Sequence, residues 1–559
     1  MASFPPPMPR ATSALLVLAA AACAVPGALR AQGDEAPPPA RGVLRVLLPA
    51  VWWRWDRRFG EGTPGYVTGA LEPAGVDFGA ESLGVAQLPF LGPSQSVLRT
   101  VTRIPAFTFS LGQADLRLNA NVRAMPLGVA LGISRRLSVS VLVPLVRSRV
   151  EAFFRMDTTA ARRGTVGWNP AYATPGSLDA FRGQVDAALG ALRTQATAGP
   201  AALRPQAQAA LDLLGPLWCG LYTVAGGSAS DPASVCYSAT QVSASPFLPL
   251  GASEAGDSIT SRLAGARTSW SQLVSAYGGA GVTLPGFTAA FALPSAAVTR
   301  DDVQRFLQDT VLGAGGDSLV MALHTRLGDI EAAATYVFAD RPRYRGRVMA
   351  TVRLPTGMVD SDRDFIDVGT GDHQLDVELA VRNDLTVGTS FRVVAAGRIG
   401  IQFADQLERR VSPPSLPIAP LAQLAVVRRD LGDYVALDIT PTWRLDDALS
   451  LGVRYAYFRQ GATRFSYRDP ADSARTGLPA SVLDQETAVR WMRIGVGVTF
   501  STLSRSAAGR AGLPYTLTIG YQNTLWGRGG RTPQVSLVYV NLASYFRLWG
   551  SGGEMARDR

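Results

Sequence analysis

Histidine is the usual general base and metal ligand, and this chain of 559 residues has only His324 and His373. His373 stands between Asp372 and Gln374, and a membrane-embedded serine hydrolase would need Ser390 or Ser361 within hydrogen-bond reach of it. Nothing in the spacing argues for that contact, so His373 reads as a polar residue close to a loop. A phosphate-cradling loop of the P-loop kind requires lysine, and no lysine occurs. The sequence therefore points to no catalytic group, no metal and no cofactor.

Arginine is what the chain has in number. All 54 basic residues are Arg against 44 acids, giving a net charge of +10 and a pI near 9.8. A nucleic-acid protein gathers its basic residues on one face or along one helix. Here they are scattered among acids and apolar residues, which excludes nucleic acid as a partner. The question becomes which elements hold so many charges apart.

Period-two alternation answers it. Over residues 113–123 the odd positions are Gln113, Asp115, Arg117, Asn119, Asn121 and Arg123, while the even ones are Ala114, Leu116, Leu118, Ala120 and Val122. Alternation of this kind marks a strand whose two faces see different solvents. It recurs over 344–354 and 374–382, in runs longer than the roughly 5 to 6 residues usual for strands of soluble sandwiches. Marking every such run gives about twelve: 42–58, 110–134, 137–156, 325–338, 344–356, 371–385, 387–405, 431–445, 448–468, 484–502, 513–526 and 531–549. Short turns alternate with long loops between them, and aromatic residues gather toward the run ends. The expected fold is all-β: a twelve-stranded antiparallel transmembrane β-barrel with both termini periplasmic. The mean hydropathy of +0.11 fits apolar residues spread over such strands, and past the first thirty residues no apolar run approaches the roughly 20 residues of a membrane helix.

Parity then assigns a lumen. The residues expected to line it are Asp115, Arg117, Asn119, Asn121, Arg123, Asp329, Glu331, Arg345, Arg347, Arg353, Asp376, Glu378, Arg382, Arg392 and Arg398, with Asp438, Arg454 and Arg493 beside them. The arginines of 344–356 fall between the acids of 325–338 and those of 371–385, so a cross-strand ladder of Arg and carboxylate is expected there. Because the arginines outnumber the acids, the expected path is polar and favours anions.

Residues 1–31 read as a cleaved secretory signal, with Arg10, an apolar stretch from Ala14 to Val25, and small residues before Gln32. A lipoprotein-type cleavage before Cys23 competes, without the usual Leu three positions earlier. Export leaves Cys219 and Cys236, an even pair at short spacing that reads as a disulfide. The expected location is the outer membrane of a diderm bacterium.

A resemblance accompanies these readings. Gly132-Ile133-Ser134-Arg135-Arg136-Leu137-Ser138-Val139, then Val143-Pro144-Leu145-Val146, Gly328-Asp329-Ile330-Glu331 and Arg353-Leu354-Pro355-Thr356-Gly357 resemble hairpins of outer-membrane transporters of the phenol-degradation (MetA-pathway) and fatty-acid or aromatic-hydrocarbon type. The likeness covers mainly 112–156 and 325–405. It implies a barrel that passes hydrophobic or aromatic solutes.

The expected organisation is a signal at 1–31, barrel strands with a long first loop over 32–156, an insertion at 157–324, further strands over 325–549 and a tail at 550–559. The insertion differs in kind, because Phe181, Val185, Ala188, Leu189 and Leu192 fall at helical spacing and Thr299 precedes Asp301 and Asp302 as an N-cap would. It is expected to form a helical extracellular cap. The functional expectation is a passive channel or transporter for small solutes, with membrane lipid and a small-molecule solute as partners and the oligomeric state left open. The alternatives are a barrel that anchors a surface interaction domain and, last, the hydrolase.

Overall fold

A computed structural model describes residues 38–549 apart from 61–66, 159–163, 227–235, 237–244, 309–320, 364–365, 414–415, 417–418, 505–512 and 530–531. The expected leader 1–31 and tail 550–559 lie outside the described residues.

Twelve antiparallel strands close on themselves: β1 (Val43–Trp55), β2 (Gln113–Gly132), β3 (Leu137–Asp157), β4 in two segments (Met321–Leu327 and Ile330–Arg341), β5 (Tyr344–Leu354), β6 (Asp376–Val387), β7 (Phe391–Gln402), β8 (Tyr434–Arg444), β9 (Leu449–Gln460), β10 (Val489–Ser501), β11 (Tyr515–Arg528) and β12 (Ser536–Arg547). Each strand pairs with its neighbours in sequence, and β1 pairs with both β2 and β12, so the sheet has no free edge. In hydrocarbon only helices and closed barrels satisfy every backbone group internally. No helix among the described residues is long and apolar enough to cross a membrane.

The outward face carries an apolar band. Leu379, Ile399 and Val496 on β6, β7 and β10 are 52%, 56% and 53% exposed, and Met125, Leu145, Leu437 and Ile519 share that face on other strands. A water-soluble protein rarely exposes contiguous apolar surface on this scale, whereas lipid requires it. Tyr336, Phe338, Trp443 and Phe546 edge the band near the short turns, and Trp52, Phe403 and Trp526 edge it at the other end. Val43 pairs with Arg547, which puts both chain ends of the barrel at the short-turn end.

The expected runs 387–405 and 448–468 overshoot. The barrel strands stop at Gln402 and Gln460, and beyond them Asp405–Arg410, Leu424–Asp430 and Arg464–Tyr467 form a separate three-stranded sheet. Alternation continues across the boundary because a half-buried strand has the same period in either sheet.

Residues 79–115 and 155–306 form a second compact unit. It holds α1 (Gly92–Thr102), α2 (Asp179–Ala198), α3 (Arg204–Val224), α4 (Glu254–Gly279) and α5 (Arg300–Phe306). Phe181, Val185, Ala188, Leu189 and Leu192 are all buried on α2, the stripe a 3.6-residue period demands. Trp218 stacks on Phe287 at 4.4 Å between ring centres, and Trp270 donates to the Pro285 carbonyl at 3.0 Å. Thr299 and Asp302 cap α5 reciprocally: the Asp302 amide donates to the Thr299 hydroxyl, and the Thr299 amide to the Asp302 carboxylate. Cys219 and Cys236 are disulfide-bonded, with Cα atoms 5.0 Å apart.

Candidate functional site

The inward face of the barrel has two unlike walls. From β4 through β10 it carries charge: Glu331, Arg347, Arg353, Asp376, Glu378, Arg382, Asp384, Asp438, Arg454 and Arg493 are all buried there. On β1, β2 and β12 it is mainly apolar, with Leu47, Val51, Trp53, Leu118, Val122 and Leu537 buried on the same side of the sheet and Arg45 and Asn541 among them. Charges held in a narrow interior are tolerated only when paired and hydrogen-bonded, and the pairs follow the strand register.

Two layers of charge result. Near the long-loop end Arg353 lies directly opposite Glu331 on β4 and Asp376 on β6, and bonds both; Asp372 lies 3.7 Å from it. Glu378, one inward step below Asp376, accepts a hydrogen bond from Tyr434. Carboxylates dominate this layer. Below it the balance reverses. Asp384 receives Arg347 and Arg392 at 2.9 Å and Arg382 at 3.2 Å, while Asp438 is held by Arg398 and Arg454. Arg345 sits lower still and bonds Asp340 beside the short turn at 3.1 Å. A cavity opens in this layer, lined by Arg45, Arg347, Arg382, Arg398 and Arg454 against one acid, Asp438, with Ala130, Ser138 and Ser140 on the facing wall.

Five residues expected in the lumen lie elsewhere. Asp115, Arg117, Asn119, Asn121 and Arg123 share the outward face of β2 with Met125, Leu127 and Val129, which are 60%, 49% and 38% exposed. Trp52 and Arg54, outward on β1, stand opposite Arg123 and Asn121. β2 spans 20 residues, about twice what a tilted strand needs to cross a bilayer, so its first half extends past the apolar band and is polar outside. Alternation distinguishes two faces without saying which is the lumen. The signal was available further along the strand, where the same odd positions become Met125, Leu127 and Val129.

The interior also holds a loop that spacing did not reveal. Residues 357–363 and 366–375, between β5 and β6, fold inward. Ser148, buried and inward on β3, donates to the Val368 carbonyl at 3.0 Å, and its register partner His324 on β4 bonds Asp367 at 2.7 Å. Three of the turn motifs meet at the root of this loop. β4 breaks at Gly328 and Asp329; Gly328 donates to the Pro144 carbonyl, and the Thr356 hydroxyl replaces the missing ladder bonds by donating to the Gly328 carbonyl at 2.8 Å and accepting from the Ile330 amide at 2.9 Å. The Asp329 carboxylate then accepts from the Gly357 and Asp372 amides at 2.7 and 2.9 Å, closing the two ends of the loop together. Glycine is needed at Gly357 and Gly371 because a Cβ at either would meet the Asp329 carboxylate.

Beyond the strands, Arg409 bonds both Asp360 and Asp362 in a buried cluster that ties the loop to the three-stranded sheet. Burial works against all three charges. The two carboxylates outweigh it at Arg409 and hold the guanidinium above its usual value; Arg409 outweighs it at Asp360, whose carboxyl falls below the usual range. At Asp362 burial wins, with Asp360 adding to it, and the carboxyl is raised.

His373 is not brought to a serine. Its Nδ1 lies 2.8 Å from the Gly357 carbonyl, the Ser361 hydroxyl accepts from the Arg363 amide, and Ser390 lies in the turn at the far end of β6.

No family model matches this chain, and no curated protein does. Among solved structures, it is similar to an outer membrane channel of Pseudomonas putida F1 over 92% of its own length and 98% of the other, at 8% identity and a TM-score of 0.40. The toluene transporter TbuX of Ralstonia pickettii matches over 92% of each chain at 9% identity and a TM-score of 0.28. A FadL homologue of Pseudomonas aeruginosa matches over 91% of this chain and 90% of that one, at 7% identity and a TM-score of 0.23. These neighbours are of the transporter type that the hairpin motifs resemble.

Proposed function

We propose that the barrel is a passive channel for small solutes in the outer membrane of a diderm bacterium, with its termini and short turns on the periplasmic side. The observation that carries this reading is the arginine-lined cavity inside a closed barrel whose outward face is an apolar band. A twelve-stranded barrel is wider than the eight-stranded kind that side chains fill, and narrower than the open water-filled porins, so a solute passes in contact with the walls. The walls then select. Five guanidiniums line the cavity against Asp438, with Asp384 bonded to two of them, and the excess of positive charge favours an anionic group, while the mainly apolar surface of β1, β2 and β12 accommodates a hydrophobic or aromatic body. The solute class that suits both is a small amphipathic anion.

The test is the reversal potential of the purified protein in planar bilayers under a salt gradient. Small, mildly anion-selective conductance is expected, and Arg347→Gln with Arg382→Gln should move the reversal potential toward cations. Absence of conductance, together with exclusion of small solutes in liposome swelling, would leave the barrel as a membrane anchor. That second reading draws on the helical unit, which has its own aromatic core and disulfide.

A further inference from the structure

Three arginines form an unbroken row on the outside of the barrel. Arg459 on β9 lies directly opposite Arg490 on β10, and Arg490 directly opposite Arg528 on β11. All three are exposed and outward, and no Asp or Glu occupies the outward face of these strands. Among the described residues none of the three is held by a carboxylate. Like charges directly opposite on a sheet repel, with side-chain roots only about 5 Å apart. A row of this kind stands at a cost unless an anion lies across it.

Its position says which anion. The next outward row toward the short-turn end is Tyr457, Met492 and Trp526, again in direct register, and below that come Ile494, Val496 and Ile519, exposed at 41%, 53% and 50%. Tyr and Trp mark the headgroup level of a membrane, and the apolar side chains beneath mark its hydrocarbon. The arginines thus stand at headgroup height on the long-loop side. Guanidinium binds phosphate oxygens in a bidentate fork and neighbouring guanidiniums can share one group.

We propose that the outward face of β9, β10 and β11 at this rim is a binding surface for a phosphate-bearing lipid, its phosphate across Arg459, Arg490 and Arg528 and its acyl chains along the apolar band. The proposal rests on the membrane-barrel reading and is independent of conduction.

The test reconstitutes the full chain in nanodiscs of phosphatidic acid and phosphatidylcholine in equal amounts and counts by native mass spectrometry the lipids retained on release. Enrichment of phosphatidic acid by roughly tenfold or more is expected for the wild type, three basic residues acting at one anionic headgroup. The triple variant Arg459→Gln, Arg490→Gln, Arg528→Gln should fall to parity, while Arg135→Gln, Arg136→Gln, Arg300→Gln, which removes equal charge elsewhere, should retain the enrichment. Enrichment unchanged in the first triple variant, or parity in the wild type, would overturn the proposal. Displacement by millimolar inorganic phosphate would also overturn it, making the occupant a free ion. Heat-modifiable migration on electrophoresis, checked for each variant, reports the folded barrel separately, so a failed lipid preference and a failed barrel reading give different results.

Discussion

The inward loop should be loosened at its root by a single substitution at the strand break. Asp329 is 5% exposed and accepts two backbone amides, from Gly357 and Asp372, at 2.7 and 2.9 Å. A hydrogen bond contributes about 1 kcal/mol, so Asp329→Ala removes roughly 2 kcal/mol of anchoring at the loop's root. Residual contacts oppose release. Ser148 to Val368, a neutral bond at 3.0 Å, holds with about 1 kcal/mol, and the half-exposed His324 with Asp367 adds little more. The root of the loop loosens, while Arg409 on Asp360 and Asp362, the Thr370 hydroxyl on the Leu327 carbonyl and Arg429 on the Asp372 carbonyl still hold the rest of it. Asp329→Asn keeps one acceptor of similar shape and should lie between. Single-channel recording reads the outcome: larger and noisier conductance for Asp329→Ala, intermediate for Asp329→Asn, with heat-modifiable migration showing the barrel folded. An Asp329→Ala barrel that folds and conducts as the wild type does would refute the claim that this carboxylate holds the loop in the path.

Further outcomes are expected. Replacing Cys219 and Cys236 by Ser should destabilise the helical unit by about 3 kcal/mol, the entropy of a closed loop of this length, and leave barrel migration unchanged; loss of the barrel would tie the helical unit to its folding. Leu379→Arg, outward in the band, should impair assembly by roughly 2–4 kcal/mol near mid-bilayer, whereas inward Val394→Glu, which faces the arginine cavity, should assemble normally; equal tolerance in a folding assay would contradict the face assignment. A cysteine at exposed Ser261 on α4, placed in a background lacking Cys219 and Cys236, should be labelled on intact cells, and labelling only after permeabilisation would invert the topology.

Much of the barrel was legible from the chain alone, because each membrane strand must separate two solvents within its own length. Period two over 344–354 places Arg347, Thr351 and Arg353 on one face and Val348, Ala350 and Val352 on the other, with no help from tertiary contacts. The facing charges of β4 and β5 were likewise readable, since antiparallel neighbours joined by a short turn fix their own register, and alternation put the acids of β6 on one face. On β2 the same pattern misled: polar residues outside the membrane alternate just as lumen residues do, and the closed sheet, with Arg123 beside outward Trp52, decides the face that Met125, Leu127 and Val129 mark further along the strand.

What tertiary structure alone decided is the loop at the break. Gly328, Asp329, Pro144 and Thr356 look like ordinary turn and strand residues one by one. Strand register carries Gly328 toward Thr356 and Pro144, and the backbone groups freed where β4 leaves the ladder take the Thr356 hydroxyl. The Asp329 carboxylate then takes the Gly357 and Asp372 amides and holds the two ends of the loop together, a consequence of hydrogen-bond satisfaction across strands that no local period encodes.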